Sequence, residues 1–142
     1  MPIQDTAFAK DLVRRYLNDV FSRGDFGVID QYLSGDTFTS GVVDLVTRWR
    51  TAFPDLRIDV EDVIVEDDKV VTEEKMTGTH KGTYRSSSTG LSVEATGRAV
   101  RWTRLAVRTL RDDRFVDGFW EEDEVSLLQQ LGVLETPAAA SE

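Results

Sequence analysis

Two acidic residues, Glu74 and Asp62, stand among apolar residues in segments with the alternating pattern of β-strands. Side chains two residues apart on a strand point to the same face, so each carboxylate is expected to share a face with apolar neighbours. The neighbours of matching parity are Met76, Gly78 and His80 for Glu74, and Ile58, Val60 and Ile64 for Asp62. Apolar surroundings raise the pKa of a carboxyl group toward neutrality, where it can accept a proton from carbon or donate one to a leaving oxygen. We predict Glu74 as the first acid/base candidate and Asp62 as the second; the alternatives are an exposed strand edge for Glu74 and a turn or rim for Asp62.

Motifs for several other chemistries are missing from the sequence. It contains no cysteine and one histidine, which excludes thiolate chemistry and argues against a metal site. It has no G-x-G-x-x-G segment, no phosphate-binding loop and no G-x-S-x-G elbow. The acidic run at 121–124 is interpreted as a solvated cap of the last helix, because consecutive side chains diverge. We therefore predict neither a metal nor a cofactor.

Apolar periodicity divides the chain into helices followed by strands. Helical spacing predicts helices over about 9–21, 25–33, 40–53 and 125–131. Alternation predicts strands over about 56–65, 70–80, 100–110 and 114–120, which form two hairpins. Residues 83–99 are typical of a flexible loop with a short strand near 91–94. This order predicts an α+β fold with helices packed on one face of a bent antiparallel sheet.

Length and composition are those of one globular domain. The 142 residues, 40% apolar and 30% charged, predict a single domain over 1–142 with a core at about 8–134 and a disordered tail at 135–142. The net charge of −9 disfavours nucleic acid and anionic membranes as partners. No basic, apolar leader and no run of membrane-spanning length is found, so we expect a cytoplasmic protein.

Four short motifs occur in order along the chain: FPDLR at 53–57, TGTH at 77–80, TGR leading into VRWT at 96–103, and LLQQLG at 127–132. Their order and spacing resemble the SnoaL-like family of polyketide cyclases and hydroxylases, within the nuclear transport factor two-like superfamily. The resemblance implies a cone-shaped α+β barrel in which a curved sheet and helices enclose an apolar cavity. It also implies cofactor-free chemistry on polyketide or polycyclic substrates. The segment GRAVRWT at 97–103 is more similar to the hydroxylase branch than to the cyclases.

The sequence departs from the family at the residues that carry cyclase chemistry. In the cyclases an aspartate on the last strand is the acid/base, and a histidine on the preceding strand assists it. Counted back from Leu131, these positions hold Trp120 and Ala106. A one-residue bulge would bring Glu121 to the aspartate position, but nothing would replace the histidine. The resemblance therefore implies the fold without the usual catalytic pair.

If Ala106 and Trp120 face inward, alternation also turns Trp102 and Arg104 inward, and Gly118 and Glu122 flank Trp120 on the same face. Arg104 is predicted to polarise a substrate carbonyl or to hold a carboxylate. The alternative is a structural ion pair with Glu74 or Asp62.

The predicted substrate-binding residues are mainly aromatic. Trp102, Trp120 and Trp49 are expected to form a flat stacking surface for a planar ligand, with plain core packing as the alternative for Trp49. Met76 is expected beside Glu74 on the inner face.

Two polar residues complete the predicted site. His80 is a candidate proton relay, and a solvated strand end is its alternative. Asp36 could face Asp62 as a carboxylate pair like that of the polyether epoxide hydrolases in this superfamily; capping of a helix end explains Asp36 equally well.

The function predicted from these residues is a cofactor-independent tailoring enzyme of polyketide or secondary metabolism. It would cyclise or hydroxylate a polycyclic or polyketide substrate by acid/base catalysis in an apolar cavity. The alternatives are a non-catalytic small-molecule-binding protein and an epoxide hydrolase or ether cyclase with a carboxylate pair. The predicted partners are a small apolar or polycyclic molecule and a second copy of the chain, because Leu105, Val107 and Phe119 would face outward and need cover.

Overall fold

Four long antiparallel strands form a curved sheet in the computed structural model, which describes residues 1–135. The strands are β1 (Arg57–Glu66), β2 (Lys69–Thr79), β5 (Ala99–Arg111) and β6 (Arg114–Glu122), in the spatial order β1-β2-β5-β6. Two short strands, β3 (Tyr84–Arg85) and β4 (Ser92–Val93), pair separately. Both predicted hairpins and the short strand near 91–94 are confirmed. The tail predicted to be disordered lies outside the described residues except for Glu135.

Helices cover one face of this sheet. Helix α1 (Thr6–Tyr16) continues as a π-helix (Leu17–Ser22), and a 3-10 helix (Phe26–Gln31), α2 (Asp36–Ala52) and the C-terminal α3 (Glu124–Gln130) complete the set. Helix α2 begins four residues before its predicted start, because Gly35 (φ +97°) turns the chain and the carboxylate of Asp36 suits the first turn of a helix. The described fold is the predicted α+β arrangement. None of the helices within residues 1–135 is long and apolar enough to cross a membrane.

The aromatic core lies between the helices and the inner face of the sheet. Tyr16, Phe21 and Trp49 are buried on the helical side. Trp102 packs against them from the sheet, perpendicular to the ring of Trp49 with 5.6 Å between the ring centres. Phe53, just after α2, packs 5.1 Å from Trp102. These contacts cover the inner face of the sheet and leave its outer face exposed.

A β-bulge changes the facing of residues on β1. Val60 pairs with Glu74, but Asp62 pairs with Glu73, so the register shifts by one residue between them. Val63 is therefore buried in the core, while Asp62 is exposed. The prediction that Asp62 faces inward is wrong, because strict alternation does not survive the bulge.

Gly82 lets the end of β2 approach the end of α2. The backbone N–H groups of Lys81 and Gly82 donate to the carbonyl oxygen of Ala52 at 2.9 and 3.1 Å, which satisfies one of the free carbonyls at the helix C-terminus. A Cβ atom on Gly82 would lie 2.0 Å from the carbonyl oxygen of Thr51. The contact is therefore available only to glycine.

We expect Gly82→Ala to lower the free energy of unfolding by about 1–3 kcal/mol, because the added methyl group forces the two backbones apart. Gly41→Ala is the matched control, since a Cβ at Gly41 meets nothing within 4 Å and alanine favours a helix interior by up to about 1 kcal/mol. Urea denaturation followed by circular dichroism measures both changes. Equal stability of the two variants would contradict the close approach.

Candidate active site

A buried ionic cluster occupies the interior of the cone. Glu74 Oε1 accepts hydrogen bonds from Arg104 Nε at 2.9 Å and from Arg104 Nη2 at 2.6 Å. Glu74 Oε2 accepts from Arg108 Nη2 at 3.1 Å and from the Thr72 hydroxyl at 2.5 Å. Thr72 in turn accepts from Arg108 Nη1 at 2.8 Å. All four residues are buried, so this network holds β2 and β5 together from the inside.

The surroundings of Glu74 keep it ionised. Burial favours a higher pKa, but Arg104, Arg108 and the hydrogen bond from Thr72 outweigh it and hold the pKa of Glu74 below its usual range. Glu74 does face inward as predicted, but the predicted rise of its pKa is wrong, because two guanidinium groups replace the expected apolar neighbours. The predicted alternative, an ion pair between Arg104 and Glu74, is confirmed.

Aromatic rings surround the two guanidinium groups. The Cζ atom of Arg104 lies 5.0 Å from the ring centre of Phe21 and 5.3 Å from those of Trp49 and Trp120. Arg108 lies in the same way over Tyr16, at 5.6 Å. Cation–π contacts of this kind stabilise a cation by about 0.5–2 kcal/mol each.

Little space remains inside the cone. The interior cavity has a volume of about 10 Å³, room for a single water molecule. Its wall includes Tyr16, Arg104, Arg108, Gly118 and Trp120. The expected apolar cavity is thus filled by arginine and aromatic side chains and is positively charged.

A larger groove lies on the other side of Trp120. It has a volume of about 380 Å³, within the range of small-molecule sites, and its wall includes Ser88, Trp120, Glu122 and Leu128. Trp120 is half-buried and lines both the cavity and the groove. This position suits the stacking role predicted for Trp120.

Glu122 combines burial with access to the groove. It pairs in register with Arg104 on β5, and its Oε2 accepts a hydrogen bond from Trp102 Nε1 at 3.0 Å. Burial raises the pKa of Glu122, and Glu124 adds to the shift, while Trp102 and Arg104 oppose it. Glu122 therefore has the raised carboxyl pKa that was predicted for Glu74.

Sequence reasoning placed Glu122 on the inner face beside Trp120 but did not make it a site residue, because it interpreted the acidic run at 121–124 as a solvated cap of the last helix. That interpretation is correct for Asp123, which caps α3 by accepting from the Ser126 N–H at 3.0 Å. The signal that distinguishes Glu122 is its parity with Trp120, which places it on the inner face of β6.

Glu124 binds the serine-rich segment at 84–88, which lies beside the groove. Its carboxylate accepts hydrogen bonds from the hydroxyls of Tyr84, Ser86 and Ser88, the second at 3.0 Å. Burial and the bond to Glu124 raise the pKa of Tyr84, so its phenol stays protonated and remains a donor. Segment 84–88 is thereby held against the first turn of α3.

His80 is buried at the end of β2 instead of being solvated. Its Nδ1 accepts from the backbone N–H of Thr96 at 3.1 Å, and its ring packs 5.6 Å from Phe53. Burial lowers the pKa of His80, with backbone hydrogen bonds to Val93 and Gly82 opposing the shift, and so favours the neutral ring. His80 lines neither the cavity nor the groove.

The remaining predicted residues lie outside both spaces. Met76 and Trp49 are buried in the core, and Trp102 reaches the site through its bond to Glu122. Asp36 is exposed in the first turn of α2 and Asp62 is exposed at the bulge, so neither forms part of a carboxylate pair in the cone. Within residues 1–135, no group of three or more histidine and acidic side chains is arranged to hold a metal ion.

The chain belongs to the SnoaL-like polyketide cyclase family, which it matches over residues 11–131. TsrD from Streptomyces laurentii has a similar structure, with a TM-score of 0.79 and 24% identity over 93% of this chain and 100% of that one. AclR, a proposed hydroxylase from Streptomyces galilaeus, has a TM-score of 0.77 and 24% identity over 94% of this chain and 87% of that one. IdmH, a proposed polyketide cyclase from Streptomyces antibioticus, has a TM-score of 0.70 and 25% identity over 87% of this chain and 98% of that one. No curated protein sequence matches this chain.

Ala106 and Trp120, which stand where the resemblance implies the histidine and aspartate of the cyclases, are direct cross-strand partners. Ala106 is fully buried and Trp120 faces the cavity, so both have the predicted inward orientation. Glu122 is the next inward-facing residue along β6.

We expect Glu74→Gln to lower the free energy of unfolding at pH 7 by about 3–5 kcal/mol, because it leaves two buried guanidinium groups without their carboxylate. The folded-state pKa of Glu74 is depressed, so its stabilising effect is complete above the unfolded-state value of about 4.3 and is lost as pH falls through the folded-state pKa. The difference between wild type and variant should therefore shrink below about pH 4.

Urea denaturation at several pH values measures this dependence. Glu73→Gln, at the exposed neighbouring position, is the control and should change stability by less than about 0.5 kcal/mol. A loss in Glu74→Gln that stays constant down to pH 3 would contradict the ionised state of Glu74.

Proposed function

We propose that this protein is a cofactor-independent tailoring enzyme that closes a ring in a polyketide-derived substrate, with Glu122 as its acid/base. The observation that supports this proposal is the half-buried Glu122 carboxyl, whose pKa is raised, at the wall of a groove of about 380 Å³. Membership of the SnoaL-like polyketide cyclase family supports the substrate class. The similarity to IdmH is consistent with ring closure.

The proposed reaction is an intramolecular aldol addition. The Glu122 carboxylate removes a proton from the carbon beside a carbonyl group, and the electron pair moves onto that carbonyl oxygen as an enolate. The enolate carbon then bonds to a second carbonyl carbon, and the resulting alkoxide takes the proton back from Glu122. No electrons are gained or lost overall, so the step needs no cofactor.

Each side chain around Glu122 has a part in this scheme. A carboxyl with a raised pKa is a stronger base when ionised and a competent acid when protonated. The net positive charge of the arginine cluster favours the negative charge that develops on the enolate oxygen. The indole of Trp120 offers a flat surface on which a polycyclic substrate can stack.

Hydroxylation is the second candidate, favoured by the segment at 97–103. It would begin with the same removal of a proton from carbon. Dioxygen would then add to the carbanion to give a hydroperoxide, and a two-electron reductant supplied from solution would convert this to the alcohol and water. Opening of an epoxide by Asp36 and Asp62 has no support, because both carboxylates are exposed outside the cone.

Glu122→Gln should slow proton removal from carbon by about 10²–10⁴-fold, because the amide cannot accept the proton. The assay is hydrogen–deuterium exchange at the carbon next to the carbonyl of 2-tetralone, a bicyclic ketone with one aromatic ring, in D₂O by NMR. Glu73→Gln, at an exposed position on β2 that does not line the groove, is the matched control and should leave the exchange rate unchanged.

The pH dependence gives a second measurement of the same residue. Because the ionised form of Glu122 is the base, exchange should rise with pH through an inflection above the ordinary glutamate value of about 4.3. A raised folded-state pKa costs stability at neutral pH, so Glu122→Gln should be at least as stable as wild type at pH 7. Wild-type protein that binds 2-tetralone without accelerating exchange would instead indicate the non-catalytic binding function.

We also propose that the chain forms a homodimer through the outer face of its sheet. One apolar residue from each strand lies in a continuous row across this face: Ile64 pairs with Val71, Val71 with Val107, and Val107 with Phe119. Ile64 and Phe119 are 57% and 65% exposed, and Leu105 beside them is 56% exposed. In a dimer with a two-fold axis through this row, the apolar row of each copy would pack against the same row of its partner, so both rows would be covered.

Phe119→Glu should convert the dimer to a monomer, because it places a buried charge from each copy within the covered face. Size-exclusion chromatography with light scattering should give twice the 16.0 kDa chain mass for wild type and a single mass for the variant. Val125→Glu, at a residue of similar exposure on α3, serves as control and should remain dimeric. A monomeric wild type would exclude the dimer.

A further inference from the structure

The carboxylate of Glu124 binds a segment that lies 36–40 residues earlier in the chain. Its Oε2 accepts a hydrogen bond from the Tyr84 phenol, and its Oε1 accepts from the hydroxyls of Ser86, at 3.0 Å, and Ser88. Capping of α3 does not explain this arrangement, because the side chain of Asp123 already caps that helix. Glu124 therefore acts on the distant segment and not on its own helix.

The bound segment is part of a small hairpin, which consists of β3, β4 and the turn between them. The two strands pair only with each other, and the Ser86 N–H donates to the carbonyl oxygen of Leu91 at 2.8 Å across the turn. Packing of Tyr84 against Phe53, with 5.9 Å between the ring centres, holds the base of the hairpin. The hairpin tip, residues 87–91, is exposed, so packing contributes little to its position.

Glu124 attaches the hairpin tip to the rest of the fold. Within residues 1–135, the hydrogen bonds that join residues 84–91 to a helix or to the four-stranded sheet all end at its carboxylate. Residues 87–89 of the tip line the same groove as Trp120 and Glu122. The shape of the groove on this side therefore depends on the bonds to Glu124.

Glu124 also acts on Glu122 through its charge, since the two residues line the groove and lie two positions apart. Burial raises the pKa of Glu122 and the like charge of Glu124 adds to the rise, while a hydrogen bond from an indole, Arg104 on β5 and Arg48 on α2 oppose it. Tyr84 on β3 adds no charge, because burial and its bond to Glu124 raise the pKa of its phenol. The charge of Glu124 therefore favours the form of Glu122 that holds a proton.

We propose that Glu124 is a positioning residue of the acid/base site: its carboxylate holds the hairpin tip as one wall of the groove and places a fixed negative charge beside Glu122. This inference rests on the function proposed above and adds to it a residue that does not itself react. A carboxylate suits both tasks, because hydrogen bonds to a charged acceptor are about twice as strong as neutral ones. Loss of the bonds would release the wall and weaken substrate binding, whereas loss of the charge would make Glu122 a weaker base.

Two variants separate these tasks in the 2-tetralone exchange assay. Glu124→Asp keeps the charge but is one methylene group too short for the hydroxyls, so KM should rise about fivefold, as for the loss of one hydrogen bond. Glu124→Gln keeps the length and one acceptor oxygen but loses the charge. The inflection of its pH profile should therefore fall by about 0.5 pH unit, and that of Glu124→Asp by less than half as much. An unchanged KM in Glu124→Asp, or an unmoved inflection in Glu124→Gln, would overturn the proposal.

Two further variants complete the series. Glu94→Gln, at an exposed position just after β4 that does not line the groove, is the matched control and should keep the wild-type KM and inflection. Tyr84→Phe removes one of the three donors and leaves the charge of Glu124, so its KM should lie between those of wild type and Glu124→Asp.

A measurement without catalysis separates this inference from the proposed function. Amide hydrogen–deuterium exchange of residues 84–92, followed by mass spectrometry, should be about threefold faster in Glu124→Asp than in wild type, because the tip opens more often. Unchanged amide exchange, combined with loss of 2-tetralone exchange in Glu122→Gln, would reject the role of Glu124 and keep the acid/base. Faster amide exchange with full 2-tetralone exchange in Glu122→Gln would keep the attachment of the hairpin by Glu124 and reject the acid/base.

Discussion

The carboxylate of Glu74 is the group on which the interior of this protein depends. It binds Arg104 through one oxygen and Arg108 through the other, and both arginines extend from β5 toward aromatic rings supplied by α1, the π-helix, α2 and β6. Sheet and helices therefore meet at a charged centre instead of a purely apolar one. Removal of the Glu74 charge would leave two buried guanidinium groups without their carboxylate, which costs several kcal/mol. The same centre fills the space that an apolar ligand would need.

Arg104 lies between two glutamates that behave in opposite ways. On β2 its register partner Glu74 is locked in the ionised state, and on β6 its register partner Glu122 is pushed toward the protonated state. The difference comes from contacts, because Glu74 receives bonds from two arginines while Glu122 receives one from the indole of Trp102. Carboxyl groups with pKa values moved apart are a common basis for assigning acid/base roles. In this site the assignment favours Glu122.

Alternation and helical spacing were sufficient for most of the architecture. The inward orientation of Trp102, Arg104 and Trp120 follows from their parity. The pairing of β5 with β6 is regular from Arg104–Glu122 to Thr109–Asp117, and its register shift lies beyond this stretch, between Thr109 and Leu110. Strict alternation gave the wrong face for Asp62, because the bulge in β1 reverses the faces of the residues that follow Val60. A bulge of one residue leaves no clear trace in composition, so the exposed position of Asp62 could not be deduced from the sequence.

The sequence by itself determined the order of helices and strands, the membership of a cone-shaped fold family and the absence of the usual aspartate and histidine. These properties depend on periodicity and on motifs, which are local. Only the tertiary structure decided which carboxyl is free to exchange protons, because that depends on charges 30 or more residues apart in the chain, such as Glu74 with Arg104 and Arg108. A pKa is set by burial and by distances to charged neighbours, and neither quantity is contained in the spacing of residues along one strand.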